Sequence, residues 1–324
     1  MALSRSVRVR FVLIPILFYS FAVLHAASSA DATRITAVAN VTLRELPAAG
    51  SPAVAQVPLG TEIVEAGPAG LDRVWIRVRL SDSREGWVQA SLTRTLDPVW
   101  RWPVYDRIVA DRLGRKGDSF ASSAELVTFI ERVLPEYTDA DGRARMELAR
   151  LRAVSNTLQA VPARAWQREP YAAWVASRKS ELVFDEPGRR WLLSDRALWE
   201  THARLATTGA ADDLAWLAVT NGVTGDCAGR VLCYLAARNA MHGEYLRRHP
   251  FGTRSVDALT VIKETADLLS GAPASKASFR LDRQRECGEL QKSVDTLIGA
   301  VSESRGATRD EAIRSLEGVK GLCR

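Results

Sequence analysis

Histidine and cysteine are scarce in this chain, four of each in 324 residues. So small a supply leaves little from which to assemble a metal centre or a thiol–imidazole pair. The patterns of a serine-hydrolase elbow, a His-Glu-x-x-His zinc helix, a Gly-rich phosphate loop and an EF-hand loop are all missing. No cofactor and no metal are therefore expected. Lys and Arg number 44 against 38 Asp and Glu, a net charge of only +6. Nucleic acid is not an expected partner, because that would call for a clustered basic face interleaved with aromatics. Long apolar runs are also lacking. The one at Phe11 to Leu24 falls short of the roughly 20 residues that cross a bilayer.

What is present at the N-terminus is a secretory pattern. Arg5, Arg8 and Arg10 precede the apolar run, and Ser28-Ser29-Ala30 follows it, so residues 1–30 read as a signal peptide. Its removal lowers the net charge from +6 to about +3 and directs the chain to the periplasm or the medium, with no integral membrane segment left. In such a compartment an even number of cysteines favours disulfides over metal. The length remaining exceeds one usual domain, so two are expected, over residues 31–97 and 98–324.

The first of these has the texture of short strands. "RVWIRVRL" alternates cleanly, with Val74, Ile76, Val78 and Leu80 on one face and Trp75, Arg77 and Arg79 on the other. Turn residues recur about every ten positions, as in a compact all-β unit. Val41-Thr42-Leu43-Arg44 with Pro47 and Ser51, Leu59-Gly60-Thr61 with Ile63-Val64, Trp75-Ile76-Arg77-Val78 and Glu85-Gly86-Trp87-Val88 follow in order. Together they resemble a bacterial SH3-like (SH3b) domain over residues 34–92. Thr42 and Leu46-Pro47 depart from that pattern at the first turn. The resemblance implies a small all-β SH3-like barrel that binds peptidoglycan or an envelope protein, and no catalysis.

If Val74, Ile76, Val78 and Leu80 fill the core, Trp75, Arg77 and Arg79 face out. A Trp beside two guanidiniums suits a sugar face and a carboxylate. The competing reading has Trp75 covering the end of the barrel and the arginines merely solvated. Trp87 is assigned to the core.

Beyond "DPVWRWPVYDR" the spacing turns helical, with Leu148, Leu151, Val154 and Leu158 as one stripe. A mainly α-helical domain is expected, with one β-hairpin insert at residues 180–194 around "DEPG" and Ser194 capping the next helix. Five tryptophans from Trp166 to Trp216 are assigned to its core. "EYLRRHPFGTRSVDAL" resembles the junction between helical hairpins of tetratricopeptide-like envelope proteins at Tyr245, Leu246, Pro250, Ala258 and Leu259. No 34-residue period extends it.

One stretch raises a catalytic question. "TGDCAGRVLC" resembles the nucleophile segment of the cell-wall cysteine peptidases of the NlpC/P60 family, which would make Cys227 a thiolate. That chemistry needs an imidazole beside the sulfur. The family resemblance implies a downstream histidine on an antiparallel sheet, and here only His202, His242 and His249 remain, all in helical surroundings. The alternative is a Cys227–Cys233 bridge. Residues six apart in one helix lie about 9 Å along its axis, so Cys227 must be non-helical, which Gly225 and Gly229 permit. Cys287 and Cys323 would then join two antiparallel helices end to start. The expectation is a non-enzymatic secreted or periplasmic binding protein, with a cell-wall hydrolase and a purely protein-binding adaptor as competitors.

Overall fold

The computed structural model describes residues 32–67, 74–221, 227–271 and 279–323. The expected signal peptide, and Gly225 and Asp226 beside Cys227, lie outside the described residues. Seven short strands come first: β1 Thr33–Thr36, β2 Val41–Arg44, β3 Ala53–Val57, β4 Glu62–Glu65, β5 Trp75–Arg79, β6 Glu85–Gln89 and β7 Thr93–Thr95. They form one antiparallel sheet in the order β3-β2-β6-β5-β4-β1-β7. Its two ends, β3 and β7, do not pair with each other among the described residues. An antiparallel sheet is therefore what the strands build, and among the described residues no closed barrel is found.

Period-two alternation fixes the sheet's own core. Val41, Leu43, Val57, Ile63, Ile76, Val78 and Val88 pack together on one face. The helical region is not a detached unit. Ile35, Ala37, Leu59 and Leu96 of the sheet pack into the same cluster as α1 (Trp102–Leu113), α2 (Phe120–Val133) and α3 (Ala140–Gln159). At this junction Arg132 donates to the carbonyls of Leu59 and Gly60, and Glu125 accepts from the Leu59 amide. Gly60 adopts φ +72°, and a Cβ there would stand 2.1 Å from the Phe129 ring. Only glycine fits the seam.

Short α4 (Tyr171–Ala176) leads to a hairpin, β8 Leu182–Asp185 and β9 Arg190–Leu193, turning through Glu186-Pro187-Gly188-Arg189. The Ser194 hydroxyl then accepts from the Ala197 amide and caps α5 (Asp195–Arg204). α6 (Ala211–Thr220) and α7 (Val231–Arg238) follow, and one π-helical turn at Asn239–Gly243 joins α7 to α8 (Glu244–Arg248). α9 (Ser255–Leu269), α10 (Arg283–Ser302) and α11 (Ala307–Lys320) complete the chain. The last helices share a second core, including Leu235, Tyr245, Ile262, Leu290, Leu297 and Leu316.

The "EYLRRHP" segment acts as a clasp. Tyr245, fully buried, donates its hydroxyl to Asp212 at 2.5 Å, and that carboxylate also accepts from the Thr253 amide and hydroxyl. These bonds hold the Asp212 carboxyl below its usual range despite burial. The loop after α8 is thereby tied to the start of α6. No helix among the described residues is long and apolar enough to cross a membrane.

Candidate functional site

The non-core face of β5 is the expected recognition surface, and the pairing register shows what stands on it and beside it. Trp75 lies opposite Gln89, Arg77 opposite Trp87, and Arg79 opposite Glu85, while Arg44 of β2 flanks Trp87 from the other side. Arg77 and Arg79 are exposed, as period-two geometry requires. Both reach the same carboxylate, Glu85, at 2.8 and 2.9 Å. Two guanidiniums sharing one acid are a partly neutralised pair and a weak anchor for a ligand carboxylate.

Of the two readings of Trp75, a covering ring fits its burial better than a free one. It is on the same face as the arginines yet only 8% exposed, whereas Val74, expected in the core, is 50% exposed. The strand begins at Trp75, so Val74 lies where strict alternation has not yet taken hold. Trp75 forms part of a depression of about 200 Å³, with Val38, Asn40, Thr42, Arg44 and Gln89 around it. Asn40, at φ +52°, turns the chain between β1 and β2 beside it. Trp87 also departs from its core assignment. It is half-buried on the outer face, because Gly86 and Val88 occupy the inner one.

Asn40 and Gln89 were not singled out by the sequence, and Thr42 and Arg44 entered it only through the SH3b resemblance, not as binding residues. Each is an ordinary polar residue within its own strand or turn. Only the register of β2 against β6 and β6 against β5 gathers them around one ring.

The cysteines are all bonded. Cys227 and Cys233 form a disulfide with Cα atoms 5.4 Å apart, and Cys287 and Cys323 another at 5.7 Å. The first is possible because Ala228 and Gly229 adopt φ +45° and +79°, keeping Cys227 outside the helix that starts at Val231. Hence the sulfur of Cys227 is neither ionisable nor free. His202 and His249 are engaged with each other, Nε2 of one lying 2.8 Å from Nε2 of the other. One ring must donate and the other accept, so the two cannot both be protonated. Arg248 stacks on Trp199 beside it and lies 3.5 Å from His202 Nδ1.

Among the described residues no group of three or more His, Cys, Asp or Glu could hold a metal ion. No protein-family model, curated protein or solved structure matches this chain.

Proposed function

We propose that this is an exported, non-enzymatic binding protein. Its N-terminal sheet acts as an SH3-like module that recognises peptidoglycan at the depression beside Trp75. The disulfide-tied helices serve as its scaffold. One observation carries the non-enzymatic part: the Asp-Cys segment that would supply a nucleophile has its sulfur in a covalent bond to Cys233. Thiol chemistry needs a thiolate, and a disulfide sulfur is not one.

The recognition part is supported by the aromatic floor of the depression and by its rim. Trp75 offers an indole against which a sugar or peptide group packs, and Asn40, Thr42, Gln89 and Arg44 offer donors and acceptors around it. A space of about 200 Å³ is below the range of a drug-sized pocket. It fits one sugar or one side chain of a polymer, which is how a surface module reads a repeating ligand.

The test is co-sedimentation of the purified protein with isolated sacculi. Because Trp75 is nearly buried, the informative variants are at the rim: Thr42→Arg and Gln89→Ala, which leave the sheet's core untouched. Wild type is expected in the pellet and both variants largely in the supernatant. Failure of the wild type to sediment rejects peptidoglycan and leaves an envelope protein as the partner. Sedimentation of both variants at the wild-type level moves the site off this face.

A further inference from the structure

A larger cavity, of about 430 Å³, lies in the helical region. That volume falls within the usual range for small-molecule sites. Leu158 at the end of α3, Val161 and Pro162 beyond it, and Val175 of α4 give it an apolar wall. Trp166 and Trp191 line it as well, and Phe184 packs behind them, with ring centroids 4.9 Å from Trp166 and 5.3 Å from Trp191. Trp166 and Trp191 stand nearly perpendicular, 6.5 Å apart. They therefore present an aromatic corner, and both were expected to be core.

The charged part of the lining is cationic. Arg164, Arg189 and Arg190 all border the cavity, and no carboxylate does. Arg190 leans on the buried Asp185 at 3.5 Å. The guanidiniums of Arg164 and Arg189 have no ion pair or hydrogen bond among the described residues. Their backbones add a second observation. Arg164 has φ +65° and Arg189 φ +47°, in the left-handed region where glycine or asparagine is the unstrained choice. Both side chains are exposed, Arg189 in the hairpin turn, yet arginine stands at two rim positions of one cavity where glycine is the unstrained choice. Strain of that kind marks positions retained for something other than stability. The indole Nε1 of Trp191 also lacks an acceptor.

We propose that this cavity binds a small organic anion, a flat apolar ring system bearing a carboxylate. The ring packs into the corner made by Trp166 and Trp191. Arg164 and Arg189 hold the carboxylate, the fork of guanidinium donors matching its two oxygens. A neutral ligand of the same shape loses the charge-assisted bonds, and a cationic one meets the like charges of Arg164 and Arg189. The site is independent of the Trp75 depression and of what that depression binds.

The test is isothermal titration of the oxidised full-length protein with three probes of one shape: 2-naphthoate, 2-naphthalenemethanol and 2-naphthylmethylamine. The acid is expected to bind, the alcohol at least tenfold more weakly, and the amine not at all. Arg164→Gly and Arg189→Gly each remove a charge and relax the backbone. Both are expected to weaken naphthoate at least tenfold while leaving the urea midpoint equal to or above that of wild type. The proposal is overturned if naphthoate gives no heat, if acid and alcohol bind alike, or if the glycine variants bind as wild type does. Co-sedimentation with sacculi is unchanged in these variants, which separates failure here from failure at the sheet.

Discussion

Lowering the pH from 7 to 5 removes stability from this fold in an amount that its buried histidines determine. His202 is 3% exposed and His242 is 7% exposed. Burial, with His249 and Arg248 adding to it, pushes the His202 imidazole down to about 4. Burial and Arg238 do the same for His242, also to about 4. His249 moves in the same direction, through burial and Arg248, with Asp212 opposing. In the unfolded chain each of these rings titrates near its ordinary value, about 6.5.

The sign follows directly. Below that value the unfolded chain takes up protons that the folded chain refuses, so stability falls as pH drops toward 4. Each histidine moved from 6.5 to about 4 costs about 2 kcal/mol between pH 7 and 5, or roughly 4 kcal/mol for His202 and His242 together. Asp212 and Glu244, the carboxylates nearest the histidine pair, are held below their usual range and stay ionised through this window. Urea unfolding followed by tryptophan fluorescence at pH 7, 6 and 5 reads the effect. The midpoint is expected to fall steadily, and His242→Leu, which removes one contributor beside His202 and His249, to lose somewhat less than half of the drop. A midpoint that stays level or rises as the pH falls would refute the reasoning.

The two bridges should differ in value. Cys287–Cys323 spans a separation of 36 residues and Cys227–Cys233 one of 6, so loop-closure entropy assigns about 3.8 and about 2.2 kcal/mol respectively. Paired Cys→Ala replacement at 287 and 323 is expected to lower the urea-unfolding free energy more than replacement at 227 and 233, and the reverse order contradicts this. Gly60→Ala adds backbone strain and a clash with Phe129, a predicted loss of about 2 kcal/mol or more. Calorimetry should show the sheet and the first helices destabilised together, whereas a wild-type melting temperature would mean the seam is looser than the packing implies.

Much of the fold was legible because it is written in local periodicity. "RVWIRVRL" and "EGWVQ" alternate, and they are β5 and β6. "DEPG" sits at the hairpin turn, and Ser194 caps the helix after it. What stayed hidden depends on contacts between segments far apart in sequence. Alternation at β5 says that Trp75 shares a face with Arg77, but not that Asn40, Thr42 and Gln89 gather around the ring. Composition gives Arg77 and Arg79 as cations, but register alone reveals that Glu85 serves both. The corner between Trp166 and Trp191 was also out of reach, since a single tryptophan in a connecting segment or a hairpin strand reads as core. The left-handed backbones at Arg164 and Arg189 have no residue signature, because arginine is not the residue that such a conformation selects.

The account turns on the state of the sulfur at position 227. Alkylation with iodoacetamide in denaturant, without reductant, followed by intact mass and then peptide mapping, reads it directly. No adduct is expected before reduction and four after it, with Cys227 linked to Cys233 in the unreduced map. An adduct on Cys227 before reduction would contradict the account and return this segment to the thiol peptidases.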